Sequence, residues 1–220
     1  MSQTAIINFH GIGTPPPGLP EGEDKYWVSP DTYRGFLDRC CVGTERTITF
    51  DDGNASDLEH GAPELEKRGL RGAFFVCADR IGKPGYLSAA DLKELVARGH
   101  TVGSHGRGHV PWPELDEPAL HDEVVTAAQE IAEASGAPVT AVAIPFGRYD
   151  RRVLRKLDQA GYARVYSSDG LPRLSDGGVI PRYSVRADLP MAQQFAWFEA
   201  RPGFVRLLRQ EAKLRAKALR

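Results

Sequence analysis

The chain has 220 residues, 41% apolar and 26% charged, with a formal net charge of −1. That size and balance suit one globular domain and exclude a disordered chain. No apolar run approaches the roughly 18–20 residues needed to cross a bilayer. Cys40, Cys41 and Cys77 are odd in number and form no CxxC pair, so neither a disulfide framework nor a zinc ribbon is expected. The N-terminus has no basic segment before Ala5-Ile6-Ile7, so no secretory leader is read there and a cytoplasmic setting is expected. Charge is uneven. Residues 201–220 carry seven basic side chains and one acid, which leaves 21 of the 28 basic and 28 of the 29 acidic residues in the first 200. A net-acidic body argues against nucleic acid as a partner.

The elements follow in order. Ala5–Phe9 reads as a strand, Thr14–Asp24 as a Pro/Gly-rich loop, and Ser29–Leu37 as a helix with Pro30 at its first position. Thr47–Phe50 is a strand, Asp57–Arg68 a helix and Ala73–Cys77 a strand. Ser88–Arg98 is a helix whose Ser88 and Asp91 make a capping box. His100–Ser104 is a strand, and Asp116 caps a long helix that ends at Gly136. Val139–Ile144 is a strand, Asp150 caps a helix that ends at Gly161, and Ala163–Ser167 and Val179–Val185 are strands. Strands alternating with helices imply βα units and a parallel sheet. Seven or eight strands without a Gly-rich nucleotide loop fit a barrel better than an open sheet.

Polar residues gather where these strands end. His10 follows the first and Asp51-Asp52 the second. His105 follows His100–Ser104, with His109 four residues on, and Pro145-Phe146-Gly147 follows the fifth. Asp169 comes after the sixth, and Arg182 lies in the last. In a parallel barrel all these ends meet on one face, where active sites form. Adjacent Asp51 and Asp52 point differently, so one can bind a cation while the other stays free as a base. Gly106, Gly108 and Pro111 break any helix around the two histidines. With Asp52 they make two imidazoles and a carboxylate, three ligands with a position left open, as in catalytic zinc sites or non-haem iron. The further carboxylate at Asp51 tips the choice towards hydrolysis. Trp112 and Phe146 stand beside the ligand loops, either as an apolar wall for substrate or as core. Tyr26 and Trp27 either line the mouth or anchor the Pro-rich loop. His60, His100 and His121 read as structural. Phe204, Leu207, Leu208 and Leu214 fall roughly on one face of a basic helix, which suits either an anionic membrane surface or docking on the acidic body.

From about Thr47 to Arg182 the sequence resembles the polysaccharide deacetylases, the NodB-homology carbohydrate esterases. Thr49-Phe50-Asp51-Asp52-Gly53 is similar to the first family motif and Ser104-His105-Gly106-Arg107-Gly108-His109 to the second. Gly69–Val76 is similar to the stretch between them. The resemblance implies a distorted (β/α)7 barrel over residues 1–200, with 201–220 as a basic tail. It implies a base at Asp51 and a divalent metal on Asp52, His105 and His109. Zn²⁺ is the expected ion, with Co²⁺, Ni²⁺ or Fe²⁺ as alternatives. The implied reaction removes acetyl from an N-acetylated sugar, whether free oligomer, nucleotide sugar or lipid-linked glycan. Three motifs depart. Ala143 stands where the third carries an Arg, Gly170 follows Asp169 where the fourth carries a Trp, and 179–183 lacks the late His of the fifth. These departures resemble the poly-N-acetylglucosamine deacetylases, whose motif order is permuted. There His10 is the expected general acid, oriented by Asp169, whose carboxylate would raise its pKa, and Arg182 replaces the missing Arg. Pro145, Phe146, Gly147 and Trp112 are the expected substrate and oxyanion residues. Rival readings are a hydrolase of a non-sugar amide and a non-catalytic glycan-binding module.

Overall fold

The computed structural model describes residues 6–19, 21–41, 46–170, 178–199 and 203–220. Its frame is set by side chains that alternate across short strands. In β1 (Ile6–Phe9), Ile7 and Phe9 join a large outer cluster with Tyr33, Phe36 and Phe50, while Asn8 bonds to side chains of other strands inside the barrel. β2 (Gly11–Ile12) and β3 (Trp27–Val28) form a separate parallel pair beside the barrel, which the sequence did not suggest. The remaining strands are β4 (Ile48–Phe50), β5 (Gly72–Val76), β6 (Thr101–Ser104), β7 (Ala141–Ala143), β8 (Arg164–Ser167) and β9 (Ile180–Ser184). Seven strands close into a barrel in the order β1-β4-β5-β6-β7-β8-β9. β1 pairs with β9, and every pairing is parallel. The expected distorted (β/α)7 barrel is thus the observed fold.

The helices are α1 (Pro30–Cys40), α2 (Ala62–Glu66), α3 (Ala89–Ala97), α4 (Glu117–His121), α5 (Ala127–Ser135), α6 (Arg151–Gln159), α7 (Met191–Glu199) and α8 (Phe204–Ala218). Ser29 caps α1, and the Ser88–Asp91 capping box on α3 is complete. The helix expected over 57–68 begins instead with a wide π turn, Asp57–Gly61, and then becomes α2. Pro63 in α2 has no N–H to donate back into that turn. Phe75, Ala141, Ala143 and Tyr166 fill the barrel interior, and Val142, Val153, Leu157 and Trp112 pack outside it under α6. Along α8, Leu214 is buried while Phe204 and Leu208 are 67% and 46% exposed. The single apolar face expected for that helix is therefore divided. The helix docks on α6 and on the loop after β8. No helix among the described residues is long and apolar enough to cross a membrane.

Candidate active site

Asp51 lies two positions beyond Thr49 in β4, on the face that looks into the barrel. Arg182, fully buried in β9, meets it as a fork. Nη1 donates to Asp51 Oδ1 and Nη2 to Oδ2, both at 2.7 Å. Asn8 Nδ2 donates to the same Oδ2 at 3.0 Å. A carboxylate offers about four acceptor positions; three are filled, and one remains to take a proton. Burial alone would raise this carboxyl, but Arg182, then His105, outweigh it and hold it well below the usual carboxylate range. Asp51 is therefore ionised and fixed in orientation.

Beside it, Asp52, His105 and His109 bring one ligand atom each within 4.8 Å of one another. His109 Nε2 lies 3.5 Å and His105 Nε2 3.9 Å from Asp52 Oδ1. His105 Nδ1 stands 2.7 Å from the Ala143 carbonyl. A carbonyl only accepts, so Nδ1 carries the hydrogen and Nε2 keeps its lone pair facing the cluster. Arg80 Nη1 is 2.9 Å from Asp52 Oδ1, yet this buried oxygen accepts no well-directed hydrogen bond from the described residues. An orphaned carboxylate oxygen beside two imidazole lone pairs fits a divalent cation held by three protein ligands. Burial, then the neighbouring His105, lowers the His109 pKa to about 4, so its ring is neutral and able to ligate near pH 7.

Backbone strain marks the same place. Among the described residues, the non-glycine positions with left-handed backbone are Asp52 (φ 79°), His109 (φ 55°) and Phe146 (φ 55°). Such conformations cost energy and persist where surrounding contacts fix them. Part of that fixing comes from Glu123. Its buried carboxylate accepts from the backbone N–H of Arg107 at 2.8 Å and Gly108 at 2.9 Å, and from Trp112 Nε1 at 3.1 Å. A Cβ on Gly106 would lie 2.3 Å from this carboxylate, so the loop needs glycine there.

A pocket of about 250 Å³ opens above these groups, with His10, Tyr26, Trp27, Tyr86 and Phe146 in its walls. Of the two roles open for Tyr26 and Trp27, they line the mouth. Phe146 is 51% exposed, and its ring centroid lies 4.4 Å from that of His109. The expected site residues thus converge, with four corrections. Pro145 is buried, does not line the pocket and has no N–H to offer an oxyanion. Trp112 is fully buried and serves the ligand loop through Glu123, so it is not a wall for substrate. The Gly147 N–H closes a turn on the Ile144 carbonyl at 2.9 Å, which removes it as an oxyanion donor. Asp169 does not orient His10. Its carboxylate accepts from Ser167 Oγ at 2.7 Å and from Lys217 Nζ at 3.0 Å to each oxygen. His10 instead stacks on Tyr26 at 4.7 Å, and its Nδ1 has no hydrogen-bond partner among the described residues. Burial lowers its pKa against the raising influence of Asp52 and Asp51, contrary to the expected rise.

Asn8, Glu123, Arg80, Glu23 and Tyr86 are among the site residues that escaped the sequence reading. Asn8 was legible as a polar residue within an apolar strand, two before His10 and so on the same face. Glu123 was legible as a carboxylate on the stripe of Leu120, Val124 and Ala127. Arg80 sits in the turn after β5, and Glu23 Oε1 lies 3.7 Å from His109 Nδ1. Neither had a local signal.

The class of structure is a seven-stranded parallel barrel with a carboxylate–imidazole cluster at its strand ends. Within it, the family model for polysaccharide deacetylase matches residues 43–165, more than half of the chain, and the chain belongs to this family. It is 24% identical over 145 residues to YxkH of Bacillus subtilis, named for the same family, covering 66% of this chain and 52% of that one. It is 28% identical over 123 residues to the chitooligosaccharide deacetylase of Bradyrhizobium sp., covering 55% and 54%. The chain thus spans about half the length of the curated relatives it matches. The fold is similar to that of IcaB from Ammonifex degensii, with a TM-score of 0.72 at 23% identity over 91% of this chain and 98% of that chain. It is also similar to the polysaccharide deacetylase BC0361 from Bacillus cereus, with a TM-score of 0.75 at 17% identity over 90% and 70%.

Proposed function

We propose that this chain is a metal-dependent hydrolase that removes the acetyl group from an N-acetylated amino sugar. The observation that carries this reading is the placement of Asp51, clamped by Arg182, against the Asp52–His105–His109 cluster at the base of one pocket. Asp52, His105 and His109 would hold the cation. A divalent ion bound there supplies Lewis acidity towards the acetyl carbonyl and lowers the pKa of water. Asp51 takes the proton of the attacking water on its one unfilled acceptor position. Arg182 and Asn8 keep that carboxylate ionised and oriented while it does so. His10, in the pocket wall, delivers a proton to the departing nitrogen from its protonated form. The N–H of Phe146 is the oxyanion donor left at the third-motif turn. Aromatic walls from Tyr26, Trp27 and Phe146 suit the apolar face of a sugar ring.

The family assignment supports deacetylation, and the relative named as a chitooligosaccharide deacetylase supports an N-acetylated sugar as substrate. The test is acetate release from a panel of N-acetylglucosamine oligomers, a nucleotide-linked N-acetyl sugar, a lipid-linked N-acetyl sugar and simple acetamides, with metal-loaded protein. Release from at least one sugar substrate is expected. Release from the acetamides alone would replace the sugar reading with that of a general amide hydrolase.

A further inference from the structure

The basic helix α8 reads from sequence as a tail, yet it reaches the back of the active-site wall. Lys217 Nζ bonds both oxygens of Asp169 at 3.0 Å, donates to the Gly147 carbonyl, and lies 4.2 Å from the centroid of the Tyr149 ring. Asp169 is nearly enclosed, its side chain 6% exposed, and Lys217 is 22% exposed. Gln210, two turns earlier on the same face of α8, donates to the Asp169 backbone carbonyl at 3.2 Å. Gly147 packs hard on the loop after β8. A Cβ there would lie 2.7 Å from the Ser168 nitrogen, and φ is +60°. One ammonium thus joins three segments: the 145–147 turn, the loop after β8, and α8.

We infer that Lys217 is a positioning residue. With Asp169 it clamps the Pro145–Gly147 turn and so holds Phe146 against His109. This rests on the proposed function only in treating that turn as a wall of the reaction site. Exposed ion pairs contribute little, but this pair is partly enclosed and each partner also bonds a third group. Removing the ammonium leaves Asp169 enclosed, with Ser167 and the more distant Lys213, at 3.5 Å, as its remaining side-chain partners among the described residues. The carbonyl of Gly147 loses its donor at the same time. The turn carries a left-handed residue, Phe146, that surrounding contacts must hold. Small displacements of such a wall are costly to a reaction that depends on aligned groups, up to roughly 100-fold for about 1 Å.

The experiment compares Lys217→Met, Lys217→Arg, Asp169→Asn and Lys213→Met in the full metal-loaded chain. Amide hydrogen exchange over 145–149, metal content, and kcat and KM on N-acetylglucosamine oligomers are measured. Lys217→Met and Asp169→Asn are expected to speed exchange in 145–149 at unchanged metal content. They should lower kcat roughly 10- to 100-fold with little change in KM. Lys217→Arg should recover most of the loss, and Lys213→Met should behave as wild type. Unchanged exchange in both Lys217→Met and Asp169→Asn overturns the clamp, and faster exchange with wild-type kcat overturns the positioning role. If Lys217→Met fails to fold, the exchange and kinetics of Asp169→Asn decide. A wild-type protein that releases acetate from no sugar defeats the proposed function, while exchange over 145–149 still decides the clamp.

Discussion

At the scale of single residues, the adjacent carboxylates divide the labour in the proposed hydrolysis. Asp51 is buried, ionised and forked by Arg182; Asp52 keeps an oxygen unbonded beside two imidazoles. Asp51→Asn is therefore expected to retain full metal content, measured by elemental analysis, and to lose acetate release by at least about 100-fold, in the range for a general base. Loss of metal in that variant would reverse the assignment of the pair. His10→Ala should likewise keep metal and fold, with kcat down roughly 10²–10⁴-fold. Burial lowers the His10 pKa, so its protonated form declines as pH rises through values below the ordinary imidazole 6.5. The alkaline limb of the pH–rate profile should lie there in the wild type and be absent from His10→Ala. A near wild-type rate in that variant would assign the proton donor elsewhere.

Among the elements, caps and buried side-chain bonds give separable effects. Ser88 caps α3 through its hydroxyl and shares Asp91 in a reciprocal box, and neither residue lines the pocket. Ser88→Ala should cost about 1 kcal/mol in denaturant unfolding and leave deacetylation unchanged; altered kinetics would link α3 to the site. His100, at the start of β6, joins neighbours differently. Its Nδ1 accepts from the Gly72 N–H at 3.1 Å, so Nε2 is the donor to Glu66 Oε1 at 2.9 Å and the ring is neutral. Burial lowers its pKa in spite of Glu66. The unfolded chain therefore binds a proton below about 6.5 that the folded ring resists. That share of stability is present above the unfolded value and lost as pH falls. His100→Gln, which keeps a donor and an acceptor without a titrating ring, should flatten the decline of Tm between pH 7 and 5 relative to wild type. An unchanged slope would show that other groups set it.

For the molecule as a whole, the barrel has its own cores inside and outside the sheet, so folding is expected to proceed without a cation. Chelation is expected to abolish acetate release while leaving the far-ultraviolet circular dichroism intact. Zn²⁺ or Co²⁺ should restore activity. Binding to the folded state alone should also stabilise it, by about 2.7 kcal/mol at one hundred times Kd, visible as a rise in Tm. His105→Ala should remove that rise. A chelated protein that loses its secondary structure would give the metal a folding role as well.

The legible part of this protein was the part written in short stretches of chain. Apolar alternation, capping residues and glycine stops located the barrel strands and most helices, because those signals act between near neighbours. The Asp-Asp-Gly turn and the His-x3-His loop located the carboxylates and imidazoles that cluster in the candidate site, because both are local and their chemistry is particular. What binds what was decided by closure of the barrel. β9 lies beside β1, so Arg182 reaches Asp51 across 131 positions and Asn8 across 174. Glu123 supports the ligand loop from a neighbouring helix, and Lys217 claims the Asp169 carboxylate that the motif order assigned to His10. Burial then turned the expected rise of the His10 pKa into a fall. Local sequence fixes which groups are present, whereas their partners and desolvation depend on distances that exist only after distant strands have met.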